Sequence, residues 1–158
     1  EWLLDQLAAA KIQRAEVTLH VGTGTFRPIA SATLSEHVMH SEWAQVSTTT
    51  AATLTAVRAA AHRVVAVGTT SVRVLETAAA GGTPGVLSAL EGPTDLFIHP
   101  PYSFQVVDAL LTNFHLPRTT LLVLVRTFGG DALIRRAYQV AVEEEYRFYS
   151  YGDAMLIL

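Results

Sequence analysis

The chain has 158 residues, of which 50% are hydrophobic and 16% charged, with a net charge of −3. This composition excludes intrinsic disorder and a dominating basic surface, and the length fits one domain with a substantial core. The densest apolar runs, Val64–Val67 and Leu121–Val125, are far shorter than the ~20 residues that span a membrane, so we expect a soluble protein. The absence of cysteine excludes disulfides and thiolate chemistry and fits a reducing cytoplasm.

The first half of the chain predicts alternating strands and helices. An amphipathic pattern at Trp2–Leu7 indicates a helix, and because Glu1 rather than methionine precedes it, we expect the chain to begin inside a fold. Alternating polar and apolar residues predict a strand over Glu16–Val21. The next predicted elements are a short strand at Trp43–Val46, a helix over Thr50–Ala60 and a buried, parallel-type strand over Arg63–Val67.

The second half continues this alternation and ends on a strand. Its predicted elements are a helix over Val72–Ala79, strands over Leu96–His99 and Ala109–His115, a buried segment capped by Thr119 or Thr120 that runs to Phe128, a helix over Asp131–Glu145 and a strand over Ala154–Leu158. Alternation of this kind predicts an α/β fold of layered sheet and helices, with 1–158 as a single domain portion.

The first glycine-rich loop, Gly22–Arg27, follows the first predicted strand. Its paired glycines would let a ligand approach the backbone, and Arg27 could hold an anion. The loop lacks both a following helix and the third glycine of a dinucleotide-binding motif. A plain tight turn is the simpler interpretation of this stretch alone.

The second loop, Gly68–Arg73, carries small hydroxyl-bearing residues from a strand onto a helix N-terminus. Free backbone N–H groups and the helix dipole attract carboxylates and phosphates there, and sites in α/β sheets lie at such strand ends. Arg73 falls in the first helical turn, where a cation opposes the dipole, so its position indicates an anionic partner. The alternative is simple capping by Thr69 or Thr70, with Arg73 in solvent.

Imidazoles and carboxylates cluster in the segment Glu36–Glu42. On a helix, Glu36 and His40 would share one face, and on a strand, His40 and Glu42 would share one face. Neither arrangement presents three metal ligands from this segment, so an acid–base pair is a more economical interpretation than a metal site. Scattered surface histidines are the alternative.

Polar residues also end the strand predicted over Ala109–His115. Strand periodicity predicts that Asn113 and His115 share one face, with the residues between and before them on the other. Both side chains could then meet a ligand at the strand end. The alternative is a solvated polar strand end ahead of a proline.

The segment Glu143–Asp153 combines charges with aromatic rings. Three glutamates at a helix C-terminus oppose the helix dipole, at a cost of up to ~1 kcal/mol each, so another group is expected to require those charges. Four aromatic residues within six positions could stack a base or a cofactor ring. Packing against the core is the commoner role of such rings.

Together these segments resemble the C-terminal half of the S-adenosylmethionine:tRNA ribosyltransferase-isomerase family of queuosine biosynthesis. Five motifs in the family's order carry the resemblance: Leu19–Phe26, His37–Glu42, Ala66–Arg73, Val106–Pro117 and Tyr146–Ile157. The resemblance implies a piece of the larger α/β domain of a monomeric two-domain enzyme. The family's small inserted β-barrel is expected to be absent from these residues.

The resemblance also implies a reaction. The family transfers the ribosyl group of S-adenosylmethionine onto 7-aminomethyl-7-deazaguanine in a tRNA anticodon loop and isomerises it to epoxyqueuosine, releasing adenine and methionine. S-adenosylmethionine is then a co-substrate, with no prosthetic group and no metal. Such chemistry needs a base for a C5′ proton, an acid for the departing adenine, and pockets for both substrates.

Catalytic and S-adenosylmethionine-binding residues are implied in the matching motifs. His40 or His115 would transfer protons, and Glu42 or Asp108 would orient them. The residues implied for the S-adenosylmethionine pocket are mostly small, with one arginine to pair with the methionine carboxylate or a tRNA phosphate: Gly22, Gly24, Thr25, Gly68, Thr69, Thr70 and Arg73.

Contacts to the tRNA are implied near the two last motifs. Asn113 and Phe114 would meet the deazaguanine or adenine by hydrogen bonding and stacking. The residues that would close the site or contact the anticodon loop are Arg147, Tyr151 and Asp153. The chain departs from the family's usual pattern at Arg126–Gly130, where Ser-Ala-Phe-Ala-Gly is expected.

Two other classes of function remain open at this point. The six histidines could serve a metal-dependent hydrolase. Alternatively, the chain could be a non-catalytic tRNA-binding module. Release of free adenine from S-adenosylmethionine in the presence of precursor tRNA separates these classes from the ribosyltransferase-isomerase.

Overall fold

The computed structural model describes residues 1–22 and 28–158. The helices and strands of these residues are α1 (Trp2–Ala9), β1 (Thr18–His20), β2 (Glu42–Val46), α2 (Thr48–Ala59), β3 (Val65–Val67), α3 (Thr69–Ala79), β4 (Leu90–Thr94), β5 (Ala109–Asn113), α4 (Thr120–Gly129), α5 (Asp131–Glu143) and β6 (Ala154–Ile157). Two short 3-10 turns lie at Leu34–Glu36 and Tyr149–Tyr151. None of the described helices has the length and apolarity required to cross a membrane.

The described strands form two three-stranded sheets. In the first sheet, β2 lies between β1 and β4, and both pairs are antiparallel. In the second sheet, β5 pairs with β3 in parallel and with β6 antiparallel. The predicted α/β fold class is therefore confirmed, with the strands divided between two small sheets.

Helix α3 connects the two sheets. It contacts β1, β2 and β4 of the first sheet and β3 and β5 of the second. Eight of its eleven residues are buried: Thr69, Val72, Arg73, Val74, Leu75, Glu76, Ala78 and Ala79. A helix buried on nearly all sides belongs to the interior of a domain, so the charges of Arg73 and Glu76 need partners within the protein.

Side-chain caps determine where α2 and α4 begin. The Ser47 hydroxyl accepts a hydrogen bond from the Thr50 N–H at 3.0 Å, so α2 begins before the predicted Thr50. The Thr119 hydroxyl accepts from the Leu122 N–H at 3.2 Å, which makes Thr119 the cap of α4. Gly130, with φ +81°, separates α4 from α5 in a conformation that favours glycine.

Strand β3 is paired in parallel, as predicted, with β5 as its partner, but it is less buried than predicted. Val65 and Val67 are 52% and 66% exposed. Val67 lies opposite Leu111 of β5, which in turn lies opposite Leu156 of β6, so these residues share one face of the sheet. The described residues leave much of this face uncovered, whereas the opposite face packs into the core.

The prediction of a strand at Leu96–His99 is wrong, because β4 lies earlier in the chain. Strand β4 pairs with β2 from Leu90 to Thr94 and contains Pro93, which an edge strand tolerates because it has an unpaired side. The apolar residues of the predicted strand are instead loop residues, and Ile98 is buried in the core. Their pattern indicated burial correctly but not strand pairing.

Candidate functional site

Strands β3 and β5 bring two of the sequence motifs to the same sheet edge. The strands are parallel, and Val67 lies opposite Leu111. The loop at Gly68 and the strand end at Asn113 therefore leave the sheet side by side, and the Gly68 N–H donates to the Leu111 carbonyl at 2.8 Å. In sheets of this kind, the carboxyl ends of the strands are where ligands bind.

Helix α3 begins at this edge without a side-chain cap. Gly68 is its N-cap, with φ +88°, and neither Thr69 nor Thr70 caps the helix. The alternative interpretation of simple threonine capping is therefore wrong. The N–H groups of a first helical turn have no intrahelical acceptors, so an uncapped terminus can bind a carboxylate or phosphate.

Arg73 is buried, and its anionic partner in the structure is Glu42. The Arg73 Nη1 donates to Glu42 Oε2, and the Arg73 Nε donates to the Leu96 carbonyl at 3.2 Å. The two side chains are 3% and 1% exposed. The alternative in which Arg73 lies in solvent is therefore wrong, and a protein carboxylate occupies the position expected for a ligand anion.

Glu42 also holds the beginning of the first glycine loop. Its Oε1 accepts the Gly22 N–H at 2.7 Å, and a Cβ added to Gly22 would lie 3.8 Å from the same oxygen. Glu42 therefore binds both Arg73 and the backbone of Gly22 in the structure. The other predicted pocket residues of this loop, Gly24 and Thr25, lie outside the described residues.

His115 lies beyond the end of β5 and does not share a face with Asn113. Because β5 ends at Asn113, strand alternation no longer governs the following residues. The His115 Nε2 lies 2.9 Å from the Thr112 hydroxyl oxygen, and its backbone N–H donates to the Tyr138 hydroxyl at 2.7 Å. His115 is buried whereas Asn113 is exposed, so the predicted shared face is wrong.

Burial changes the protonation of this site. Desolvation lowers the pKa of His115 to about 4, because a buried imidazolium loses its hydration. Burial also raises the pKa of the Tyr138 hydroxyl to about 12. At neutral pH His115 is therefore an uncharged imidazole, which can accept a proton but lacks the second ring proton that an imidazolium donates as a general acid.

Asp108 lies at the other end of β5 from His115. The five residues of β5 separate them, a length of roughly 17 Å for an extended strand. Asp108 accepts hydrogen bonds from Arg58 Nη1 at 2.5 Å and from the Val64 N–H at 2.8 Å. The prediction that Asp108 orients His115 is therefore wrong.

The histidines around 36–42 belong to different surroundings. The His37 ring packs edge-on against Phe97 with centroids 5.0 Å apart, and Phe97 also contacts His99 at 4.8 Å. His40 is exposed just before β2. Within 1–22 and 28–158, no three or more His, Asp or Glu residues are grouped so that they could hold a metal ion.

Three of the predicted tRNA contacts meet where β5 ends and β6 begins. Asn113 lies opposite Ala154, and its Nδ2 donates to the Asp153 carbonyl at 3.3 Å. The Asp153 carboxylate accepts from Arg147 Nη2 at 2.9 Å and from the Arg147 backbone N–H at 2.6 Å. These hydrogen bonds hold the pKa of Asp153 below its usual range.

Phe114 and Tyr151 lie near this corner with opposite exposure. Phe114 is 4% exposed, and the rings around it are Tyr138, Tyr146 and Phe148, at centroid distances of 5.3 to 5.6 Å. The Tyr149 N–H donates to the Phe114 carbonyl at 2.8 Å, which ties the second 3-10 turn to the end of β5. Tyr151, in that turn, is 77% exposed. Of the two rings, only Tyr151 is accessible for stacking.

Sequence reasoning missed the two residues that hold His115. Tyr138 lies in α5, and no local pattern connects it to the end of β5. Thr112 could have been found, because it is a hydroxyl at an inward-facing position of an apolar strand. Such a buried hydroxyl needs a hydrogen-bond partner, and His115 provides one.

The chain is similar over nearly its whole length to proteins of queuosine biosynthesis. A family model described as "Queuosine biosynthesis protein" matches residues 1–157. Relatives named S-adenosylmethionine:tRNA ribosyltransferase-isomerase are 54% identical in Dichelobacter nodosus, 56% in Moorella thermoacetica and 57% in Acidithiobacillus ferrooxidans. These matches cover 98–99% of this chain, but the chain spans only 43–45% of the relatives' length.

A solved structure is also similar to this chain over nearly its whole length. The crystal structure of S-adenosylmethionine tRNA ribosyltransferase from Thermotoga maritima matches with a TM-score of 0.81 and 46% identity. The match covers 99% of this chain and 49% of that chain. The resemblance first indicated by the five motifs is thereby confirmed, and the chain belongs to the queuosine biosynthesis protein family.

Proposed function

We propose that this chain forms part of an S-adenosylmethionine:tRNA ribosyltransferase-isomerase. The observation that carries the proposal is the 54–57% identity, over 98–99% of the chain, to relatives of that name. The convergence of the Gly68 loop with Asn113 and Asp153 at one sheet edge supports it. Because the chain spans less than half of the relatives' length, the proposal concerns a protein of their length.

The proposed reaction uses two substrates and no prosthetic group. The ribosyl group of S-adenosylmethionine is transferred to 7-aminomethyl-7-deazaguanine in the anticodon loop of a tRNA and is isomerised there to epoxyqueuosine. Adenine and methionine are released. We expect the protein to act as a monomer in the cytoplasm and to require no metal.

The first turn of α3 is proposed to bind S-adenosylmethionine together with the first glycine loop. The helix terminus is uncapped at Gly68, and a Cβ placed there would meet nothing within 4 Å, which leaves room for a ligand beside the backbone. Thr70 is partly exposed and continues this surface, whereas Thr69, also predicted to bind the ligand, is buried. Gly22, Gly24 and Thr25 are also proposed to contribute to S-adenosylmethionine binding.

The tRNA is proposed to meet the corner at the ends of β5 and β6. Arg147 and Tyr151 are both well exposed and supply a cation and a ring of the kind that single-stranded nucleic acid contacts. Asn113, whose side chain is held by the Asp153 carbonyl, would hydrogen-bond to a base edge. Phe114 would support this corner by packing beneath it.

Proton transfer is proposed to involve His40 or His115. The C5′ proton of S-adenosylmethionine is acidified by the adjacent sulfonium, so a neutral imidazole can serve as its base. His115 is neutral because burial lowers its pKa to about 4, and Thr112 orients its Nε2. His40 is exposed and is therefore the more accessible of the two.

The proposal is tested by adenine release from S-adenosylmethionine and precursor tRNA, using the full-length protein. The wild type should release adenine, and the loss of an acid–base residue should slow turnover ~100-fold or more. We expect this loss in His40→Ala or His115→Ala, while the exposed His62→Ala serves as a matched control. Near wild-type turnover in both variants would contradict the acid–base assignment.

Other outcomes separate the remaining classes of function. Binding of tRNA without any adenine release by the wild type would favour a non-catalytic tRNA-binding module. Activity that depends on a stoichiometric metal would favour the hydrolase. Either result would overturn the proposed function itself, irrespective of the histidine variants.

A further inference from the structure

A buried ion pair joins the backbone at Gly22 to helix α3. Gly22 follows β1 of the first sheet, whereas Arg73 is the fifth residue of α3, which begins beyond β3 of the second sheet. Glu42 lies between them, accepting the Gly22 N–H at 2.7 Å with Oε1 and the Arg73 Nη1 with Oε2. A second hydrogen bond, from Arg73 Nε to the Leu96 carbonyl at 3.2 Å, also holds the guanidinium in place.

Stability alone is a poor explanation for this pair. Desolvation of two charges costs about as much free energy as their attraction returns, and buried pairs are often replaceable by apolar residues without loss. In addition, the Arg73 Nη2 is buried without a hydrogen-bond partner among the described residues. An unsatisfied buried donor adds to the cost. What the pair provides is geometry, because a planar guanidinium holds its partners in a defined arrangement.

We propose that Glu42 and Arg73 are positioning residues that set the affinity for S-adenosylmethionine. They hold the backbone at Gly22 against α3, whose uncapped first turn is the proposed binding surface for S-adenosylmethionine. The identity of the ligand rests on the proposed function. Neither residue needs to touch the reacting atoms, since a displacement of only ~1 Å in a substrate-positioning group can cost ~100-fold in rate.

The fold provides a matched control pair at the other end of the second sheet. Arg58 Nη1 donates to Asp108 Oδ1, and Asp108 Oδ2 accepts the Val64 N–H at 2.8 Å. The chemistry repeats that of the Glu42–Arg73 pair, an arginine on a carboxylate that also binds a backbone N–H. This second pair lies where β3 and β5 begin, away from the loops at their carboxyl ends.

The experiment compares Arg73→Lys with Arg58→Lys in the full-length protein. A lysine cannot reach both Glu42 and the Leu96 carbonyl, because its ammonium lacks the fork of a guanidinium. For Arg73→Lys we expect the KM for S-adenosylmethionine in adenine release to rise at least about ten-fold and the Gly22 amide to exchange its hydrogen faster. Arg58→Lys should leave both quantities within about two-fold of the wild type.

A double variant covers the case in which Arg73→Lys fails to fold. Glu42→Gln with Arg73→Gln removes both charges together and leaves no unpaired ion in the interior. Neutral hydrogen bonds are weaker than charge-assisted ones, so we expect its KM to rise and its Gly22 amide to exchange faster as well.

Unchanged KM and unchanged Gly22 exchange in a folded variant would overturn the proposal. A merely structural pair would lower the midpoint of thermal unfolding without raising the KM of the folded fraction. If the wild type releases no adenine, the proposed function fails first. In that case the hydrogen-exchange rate of the Gly22 amide tests the positioning role by itself. An unchanged rate in the variants would overturn that role as well.

Discussion

His115 couples the stability of the fold to pH at the scale of a single residue. Its pKa is about 4 in the folded chain, whereas an unfolded histidine has the ordinary value of 6.5. Between these values the unfolded state binds more protons than the folded state. The stabilisation is therefore complete above about pH 6.5 and is lost progressively as the pH falls toward 4.

We predict that acid destabilises this protein through His115. Between pH 7 and 4.5 the contribution is on the order of 2 to 3 kcal/mol, and His115→Gln should remove most of it because an amide does not titrate there. Denaturant unfolding at the two pH values measures the effect. The exposed His62→Gln should keep the wild-type pH dependence, and the same dependence in His115→Gln would contradict the prediction.

At the scale of secondary-structure elements, Glu76 of helix α3 anchors the segment before β5 to that helix. Its fully buried carboxylate accepts the N–H groups of Gln105, Val106 and Val107 at 2.8 to 3.1 Å and the Tyr102 hydroxyl at 3.2 Å. Burial, and then the Glu76 charge, raise the pKa of Tyr102. Four donors satisfy a charge that would otherwise be costly to bury.

We predict that Glu76→Gln lowers the free energy of unfolding by about 3 kcal/mol. The amide keeps one acceptor oxygen and turns an NH₂ group toward backbone N–H donors, which leaves them unsatisfied. Denaturant unfolding measures the loss, with the exposed Glu91→Gln as the control. A loss no larger than that of the control would show that the carboxylate is dispensable.

The corner between α4 and α5 explains part of the departure at Arg126–Gly130. A Cβ on Gly129 would lie 2.6 Å from Ile134 Cδ1 and 3.1 Å from Ile157 Cγ2, so alanine at this position does not fit the present packing. Arg126, near the C-terminus of α4, donates from Nε to Asp131 Oδ1 at 2.5 Å. A cation at a helix C-terminus is also favourable for the dipole.

We predict that Gly129→Ala destabilises the protein by about 1 to 3 kcal/mol, although alanine has the better helix propensity. The added methyl group must displace the Ile134 side chain. Ile134→Ala removes both Cδ1 and Cγ1, which lie 2.6 and 2.9 Å from the added Cβ, so Gly129→Ala should cost less in that background. Thermal unfolding of the four proteins of this double-mutant cycle measures the coupling, and strictly additive effects would exclude the clash.

At the scale of the whole molecule, one face of the second sheet is apolar and largely uncovered. Val67, Leu156 and Leu158 are 56% to 79% exposed, and Leu111 lies between the first two in the sheet. Contiguous exposed apolar surface normally marks an interface. The relatives are more than twice as long as this chain, and we expect this face to be covered in a protein of their length.

We predict that the 158-residue chain by itself binds a hydrophobic dye at this face. Val67→Lys combined with Leu156→Lys should reduce the dye fluorescence severalfold, because both side chains are exposed and the lysines break the apolar surface. Val38→Lys, at an isolated exposed valine, is the control. Equal fluorescence in the double variant and the control would locate the apolar surface elsewhere.

The elements that depend on local signals could be predicted from the sequence. The cap at Thr119, the break at Gly129–Gly130 and the strand β2 all follow from nearby residues. That Leu96–His99 is a loop rather than a strand could not be predicted, since burial of Ile98 comes from the core as a whole. Apolar residues in a loop and in a strand look alike until strand pairing is known.

The sequence by itself determined the α/β class and the family, because periodicity and motif order can be read along the chain, whereas the pairing of β3 with β5, which brings Gly68 beside the end of the strand at Asn113, came from the tertiary structure. Only the tertiary structure decided that Arg73 pairs with Glu42, that Asp108 belongs to the far end of β5, and that His115 is neutral. Those outcomes depend on distance and desolvation between residues far apart in the chain, and neither quantity is encoded in any short stretch of residues.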